Sequence, residues 1–515
     1  MSISIRTHEG HVVRTEANSD ATLEQAIFLT GVWAGVPLCS GLGRCGLCRV
    51  RFRSKPPKPA AEDRRRFSRE ELATGWRLAC LHPANPCDVD IPEPVRAART
   101  GLRAVPKLES FDLAVDLGTT TMHWAAASGD EVIAEGGELN PQNGLGAEIM
   151  SRLAHAAAPE GAQTLCDLVS RRIRKLVLTL EEVSDGRCGK LVISGNAAMV
   201  YLLLGMDPRP LSSAPYGLEY RGGDERTIAD GIPVAYIPPL LAPFVGADIS
   251  AGLLAVEING QPPEYPYLLA DLGTNGEFVL ALSPKERLIA SVPMGPALEG
   301  VGLAFGRTAG PGSVTGFDLT PKGLHPRRLP GRTEHPGMTG TAYLSLCANL
   351  LSLGLLDESG RFGHGTTPLA ARFAAHVVKH RGEPAFDCGD GLFLPASDVE
   401  EILKVKAAFD LAVSALLREA GIGPSALKTF HLAGALGEHV GIGDLERLGF
   451  LPSGAAGRVK RSGNTSLRGS LLLLRSEEAR RRALELPVNT RLLDLTEAND
   501  FTDEYVKRMR FTHVG

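Results

Sequence analysis

The stretch "FDLAVDLGTTTMHWAAASGDEVIAEGG", Phe111–Gly137, reads as an apolar strand, a tight polar turn, a second strand, a short turn and a third strand. Much further along, "YPYLLADLGTNGEFVLALSPKERLIASV", Tyr265–Val292, repeats that plan. In both copies the first strand runs into Asp-Leu-Gly-Thr, from Asp116 and from Asp271. A single copy would read as an ordinary hairpin. Two copies in matching context predict two related α/β halves facing each other across a cleft.

Each turn sets small residues and backbone N–H donors where a strand reverses, a concave surface suited to phosphate oxygens. The aspartate at the strand end can hold Mg²⁺, directly or through water, since that ion keeps much of its hydration and uses one or two carboxylates. A third element, "FHLAGALGEHVGIG" from Phe430, carries an apolar strand into Ala433-Gly434-Ala435-Leu436-Gly437. Its small residues either let a flat base or ribose approach the backbone or serve only strand-to-helix packing. Between these elements, "LGAEIMSRLAHAA", "AQTLCDLVSRRIRKLVLTLEEV" and "SDVEEILKVKAAFDLAVSALLREAG" have apolar residues at helical spacing. In the last, Ser397 and Glu400 fit a capping box and Gly421 ends the helix. Alternating strands and helices predict α/β architecture.

The first ninety residues differ. "SISIRT" and "HVVRTE" read as a hairpin, "ATLEQAIFLTGV" as a helix, and "CDVDIPEPV" as a last strand. Between them lies "CSGLGRCGLC", Cys39–Cys48, which places three of the chain's nine cysteines in ten residues. Cys39, Cys45 and Cys48 have C-x5-C-x2-C spacing, and Cys80 follows after thirty-one intervening residues, with Cys87 close behind. Three thiolates from one loop and a fourth from a distant segment suit a [2Fe-2S] cluster, in which each iron takes two. Structural zinc, which prefers paired C-x2-C knuckles, and unrelated buried thiols are the alternatives. The glycines permit the backbone angles of a loop that wraps a cluster. Cys166, Cys188, Cys347 and Cys388 are isolated and read as small core hydrophobes.

Length predicts more than one domain: 1–92, a linker over 93–110, and 111–515 divided into lobes of about 111–265 and 266–515. Hydrophobic residues make up 43% of the chain and the formal net charge is −4, so nothing pulls it generally toward nucleic acid or an anionic membrane. No apolar run approaches the ~20 residues of a membrane helix, and the N-terminus has no export-signal core. The expectation is a cytoplasmic chain, where clustered cysteines bind metal or do redox chemistry. The basic stretch "RFRSKPPKPAAEDRRRFSREE" has few aromatics for base stacking and reads as a solvated loop able to attract an acidic electron donor.

The N-terminal segment resembles a [2Fe-2S] ferredoxin of β-grasp-like fold, with the five-residue first gap of the adrenal-type branch. That resemblance implies Cys80, in "RLAC", as fourth ligand. From Phe111 onward the chain resembles the superfamily of acetate and sugar kinases, Hsp70 and actin, here called ASKHA. This implies a duplicated ribonuclease-H-like ATPase domain with ATP and Mg²⁺ in a central cleft. Asp116, Gly118, Thr119 and Thr120 would form the first phosphate loop, Asp271, Gly273, Thr274 and Asn275 the second, and Gly434, Ala435 and Gly437 would lie along the adenosine.

The combination is similar to the reductive activators of corrinoid proteins, through "NPQNGLGAEIMSRL", "SGNAAMVYLLLGMDP", "PPLLAPFVGADISAGLL", "DLGTNGE" and "MGPALEGVG". Larger members have an extra domain where this chain has room for a linker, and Glu148 stands where the family pattern has Asp. The resemblance implies that the chain uses ATP to return an electron to inactive Co(II) of a corrinoid methyl-carrier protein, fed by an upstream low-potential donor. Glu277 would orient the attacking water or be a polar strand position. Homodimerisation is open. A small-molecule kinase with a regulatory ferredoxin domain and an Hsp70-like metalloprotein assembly ATPase are the competing readings.

Overall fold

In the computed structural model, residues 2–97, 105–146, 148–258, 262–320, 323–331, 336–365, 367–495 and 500–514 are described. Part of the expected linker, 98–104, lies outside them, while the expected boundary between lobes at about 265/266 lies within them.

Near the N-terminus a five-stranded sheet has the order Val12–Glu16, Ser2–Arg6, Cys87–Asp90, Arg49–Phe52, Trp76–Leu78. Ser2–Arg6 pairs antiparallel with its hairpin partner and parallel with Cys87–Asp90. The helix Leu23–Leu29 packs on this sheet, started by a capping box between Thr22 and Gln25. The basic stretch is more ordered than a solvated loop. It folds into two short helices, Ala61–Arg66 and Arg69–Ala73, because Asp63 and Glu71 bond back to the backbone at their starts.

Two six-stranded sheets follow. The first has the order Glu131–Leu139, Thr121–Ser128, Ser110–Leu117, Arg187–Gly195, Ala235–Ile237, Asp224–Arg226. The second runs Val459–Gly463, Thr429–Ala433, Tyr267–Leu272, Asn275–Ser283, Glu286–Pro293, Thr490–Leu492. Each contains a three-stranded antiparallel meander whose first strand pairs parallel with a later one, followed by a second parallel strand. The duplication extends from the two hairpins to the sheets. The outermost strands differ, since Asp224–Arg226 is antiparallel on the side of the parallel strands and Thr490–Leu492 parallel beyond the meander.

Two helices cross between the sheets, Ala247–Glu257 from the first lobe and Thr465–Arg475 from the second. They approach at small residues: a side chain at Gly469 would stand 1.8 Å from the Ala251 carbonyl oxygen, and one at Gly252 2.9 Å from the Thr465 hydroxyl. On the other side, the long helix Ala396–Glu419 supports the second sheet. The capping box expected at Ser397 and Glu400 does not form. The helix begins one residue earlier, after Pro395, and Ser397 instead bonds Glu383 through its amide and hydroxyl.

One apolar core runs from the N-terminal sheet, through Ile3, Phe28, Trp33 and Leu78, into the first lobe at Leu113, Val115 and Ile193. Phe28 lies so close to Gly144 that a Cβ there would fall 2.2 Å from the ring. Because overpacking in a filled interface costs about 1–3 kcal/mol, Gly469→Ala should lower the stability of the two-lobed region by that amount. Thermal unfolding would read it as a fall of several degrees, with no change for Gly457→Ala, whose Cβ meets nothing within 4 Å.

Candidate nucleotide cleft and cysteine site

The two Asp-Leu-Gly-Thr hairpins face each other directly. Thr120 and Thr274 hydroxyl oxygens lie 2.9 Å apart, and Thr274 donates to Glu299 at 2.9 Å. Each turn closes on its glycine N–H, Gly118 donating to Thr121 O at 3.0 Å and, in a turn one residue shorter, Gly273 to Asn275 O at 3.1 Å. Gly118 is required by that closeness, since a Cβ would stand 2.6 Å from Thr121 O, whereas Gly273 has room for one. Thr119 accepts from Asn196 Nδ2 at 2.9 Å.

Asp116, Asp248, Asp271 and Glu277 bring carboxyls to the cleft from both lobes. Asp271 and Glu277 are cross-strand partners. Burial, with Asp248 and Asp116 nearby, pushes Asp271 up to about 8, and burial beside Asp116 pushes Asp248 up to about 7. Glu277 is raised as well, by burial and then by Asp248 and Asp271. Asp116 is held by Ser466 Oγ at 2.8 Å and Asn464 Nδ2 at 2.7 Å. Among the described residues, no three of these carboxyls offer ligand atoms within 4.8 Å of one another. That wider hard-oxygen set fits a cation that keeps part of its water shell.

The third small-residue turn lies against the second hairpin. Gly434 has φ +81°, and a Cβ on it would stand 2.7 Å from an Asp271 carboxyl oxygen. Ala435 follows it in the helix Gly434–His439. Gly437 instead meets the backbone of Leu432, so its small size serves the strand-to-helix packing.

Cys39, Cys45, Cys48 and Cys80 converge as two pairs of free thiols. Cys39 is within hydrogen-bond reach of Cys45, and Cys48 of Cys80. Cys39 is drawn down to about 6 because the Cys45 thiol and the N–H groups of Cys45, Arg44 and Leu42 donate to it. Cys45 and Cys48 are raised by the bonds to their partners and by burial. The loop turns through Ser40, Gly41, Gly43 and Gly46, all at positive φ. Cys80 sits on a one-turn helix placed by Asp63, which accepts from Leu78 N–H at 2.8 Å and meets His82 Nε2 at 2.8 Å. Cys87 begins a sheet strand and is outside this group.

Several site residues escaped the sequence reading. Asp248 and Glu299 lie in "PPLLAPFVGADISAGLL" and "MGPALEGVG", where the signal was a single acid in an otherwise apolar stretch. Asn464 stands in a "SGN" at Ser462–Asn464 that repeats Ser194–Asn196, and both asparagines reach the first hairpin. Glu24, 1% exposed, meets Cys80 and Cys48, and its Oε1 has no partner among the described residues. Glu148 caps the helix Ile149–His155, accepting from Met150 and Ser151 N–H at 2.7 Å.

Two facing Asp-Leu-Gly-Thr hairpins, carboxyls from both lobes and a glycine turn on duplicated sheets are the arrangement of the ASKHA class. Residues 266–515 match the family model described as the C-terminal domain of RACo, the ASKHA domain, and residues 111–261 the RACo middle region. The chain belongs to the RACo family. It is 26% identical over 427 residues to the "Corrinoid activation enzyme RamQ" of Eubacterium limosum, spanning 78% of this chain and 70% of that one. It is 27% identical over 361 residues to the "[Co(II) methylated amine-specific corrinoid protein] reductase" of Methanosarcina barkeri, 62% of each. The fold matches a solved "Reductive activator for corrinoid,iron-sulfur protein" with a TM-score of 0.69 at 21% identity, over 99% of this chain and 98% of that one. Among the described residues, no helix is long and apolar enough to cross a membrane.

The raised Asp271 and Asp248 set a pH dependence. Natively they hold protons that an unfolded chain, with aspartates near 3.9, has released. The native state therefore binds more protons between about pH 4 and 8, and stability falls as pH rises through that window. In chelator, Asp271→Asn should gain thermal midpoint over the natural protein progressively from pH 5 to 8.5. A constant gap would contradict the carboxyl cluster.

Proposed function

We propose that this chain is an ATP-dependent reductive activator: it delivers one electron to the stranded Co(II) of a corrinoid methyl-carrier protein, which becomes Co(I). The observation that carries the reading is the union, in a RACo-family chain, of two paired thiol sets with an ASKHA cleft. Family membership favours this activity over the small-molecule kinase and the Hsp70-like assembly factor.

Cys39 with Cys45 and Cys48 with Cys80 would hold a [2Fe-2S] cluster, the pairing suiting two irons that take two thiolates each. When bound, the cluster supplies a one-electron carrier of low potential. Backbone N–H donors of Leu42, Arg44 and Cys45 already aim at Cys39, and Leu47 N–H lies 3.4 Å from Cys45 Sγ, so the loop favours thiolates. Arg64 and Arg65 are exposed beside the loop and Arg66 donates to the Cys45 carbonyl, which supports an acidic upstream donor.

In the cleft, Thr119, Thr120, Thr274 and the turn amides would take phosphate oxygens, and Asp116 and Asp271 would position hydrated Mg²⁺. Asp248 joins them from the first lobe. Glu277, buried and paired across the strands with Asp271, would orient an attacking water. Gly434 leaves the nucleotide access to the edge of the second hairpin. ATP is needed because moving one electron uphill by ~100 mV is unfavourable about fifty-fold, each ~59 mV being a factor of ten. Nucleotide and carrier must then stabilise different states of the protein, since a ligand shifts an equilibrium only by its differential affinity.

The test mixes the purified protein with a Co(II) corrinoid carrier, reductant and Mg·ATP and follows the Co(I) absorption. Asp271→Ala should abolish ATP-dependent Co(I) formation while the visible cluster absorption stays intact. Cys80→Ala should lose that absorption and the activity but still bind ATP. Co(I) formation persisting in Asp271→Ala would remove the cleft from the mechanism.

A further inference from the structure

The cysteine loop is tied to both phosphate hairpins through short segments, one in each lobe. In the first lobe, Asn140 grips the first hairpin twice: its Nδ2 donates to Gly118 O at 2.8 Å and its N–H to Thr120 O at 2.8 Å. Three residues on, Asn143 grips the cysteine loop twice: its Nδ2 donates to Val36 O at 2.7 Å, and its carbonyl accepts from Ser40 Oγ at 2.6 Å. Asn143 N–H donates to Asn140 O at 3.1 Å, closing the segment into one unit. In the second lobe, Glu299 accepts from Thr274, and at Gly302, three residues further, a Cβ would stand 3.6 Å from the Leu42 side chain, so this segment runs beside the cysteine loop. Arg44 adds a 3.0 Å ion pair to Glu401 on the Ala396–Glu419 helix.

Resting on the cluster and nucleotide reading above, we propose that Asn143 is a positioning residue that links occupancy of the nucleotide cleft to the redox state of the cluster. The cause is geometric. A phosphate that takes up the Thr120 and Thr274 hydroxyls replaces the bonds they make to each other and to Glu299, so the spacing of the two hairpins changes. Asn140 moves with the first hairpin and Glu299 with the second. The loop, held by Ser40 and the Val36 carbonyl on one side and by the Arg44–Glu401 ion pair on the other, follows both. Thiol environment and lobe spacing are thereby two readouts of one equilibrium, which both ligand and electron bias. Linkage requires reciprocity: if reduction changes nucleotide affinity by a factor, nucleotide changes the reduction equilibrium by the same factor.

The test uses the full holoprotein. Mg·ATP affinity is measured by calorimetry in the oxidised and the dithionite-reduced protein, and the cluster midpoint potential by EPR-monitored titration with and without Mg·ATP. The expected difference in affinity is threefold or more, matched by a potential shift of about 28 mV, which is threefold at 59 mV per decade. Asn143→Ala should erase both differences while keeping the visible absorption and binding Mg·ATP within about twofold. Ser40→Gly, which removes the hydroxyl at a residue with φ 41°, should reduce both and serves if Asn143→Ala does not fold. Equal affinities in the two redox states of the natural protein, or an undiminished difference in both variants, would overturn the linkage. A natural protein that holds no cluster or binds no ATP would instead overturn the reading of the sites, and the linkage with it.

Discussion

The backbone approach of two helices at Gly252 and Gly469 joins the two sheets, and the carboxyls of the cleft are placed from the starts of those helices. With Ala251 O 1.8 Å from where a Cβ of Gly469 would go, the helices pack this way only with glycine at that position. Both helices start at the cleft. Asp248 stands in the first turn of one, and Asn464 and Ser466, at the start of the other, hold Asp116. The same packing that joins the lobes thus aims their carboxyls at one another.

Carboxyls gathered without a counter-cation are costly, and the cleft shows it in the raised Asp271, Asp248 and Glu277. Fully structural acids elsewhere are treated differently. Glu257 is buried but paired with Arg287 at 2.7 Å, and Asp410 with Lys406 at 2.7 Å. The contrast separates acids that complete the fold from acids left for a ligand. The cysteine loop is a second site of this kind: its thiols face one another in pairs with buried Glu24 beside them, and loop amides are turned toward Cys39 and Cys45.

What the sequence made legible was whatever is local or repeated. The paired Asp-Leu-Gly-Thr turns announced duplicated sheets because a hairpin is encoded within a few residues. The Cys39–Cys48 spacing likewise lies inside one loop. Asp248 and Glu299 were hidden because each is a lone acid whose meaning depends on what faces it across the cleft. Asn464 carried a signal, the second "SGN", but it ends a different strand of its sheet from the first, so the repeat was not one of topology. The Ser397 capping box failed because Glu383, distant in sequence, competed successfully for the serine.

The merged core under Phe28 bears on how such a chain can have arisen. Fusions of ready-made domains leave polar, separable surfaces on either side of a linker. Here the N-terminal helix presses an aromatic ring onto Gly144, a residue that only the first lobe supplies. An electron-carrying module borrowed from another protein would arrive without that complementarity, and the lobe would lose its cover. Exchanging the module for another of the same fold would therefore expose the apolar face around Gly144 unless the new surface matched it.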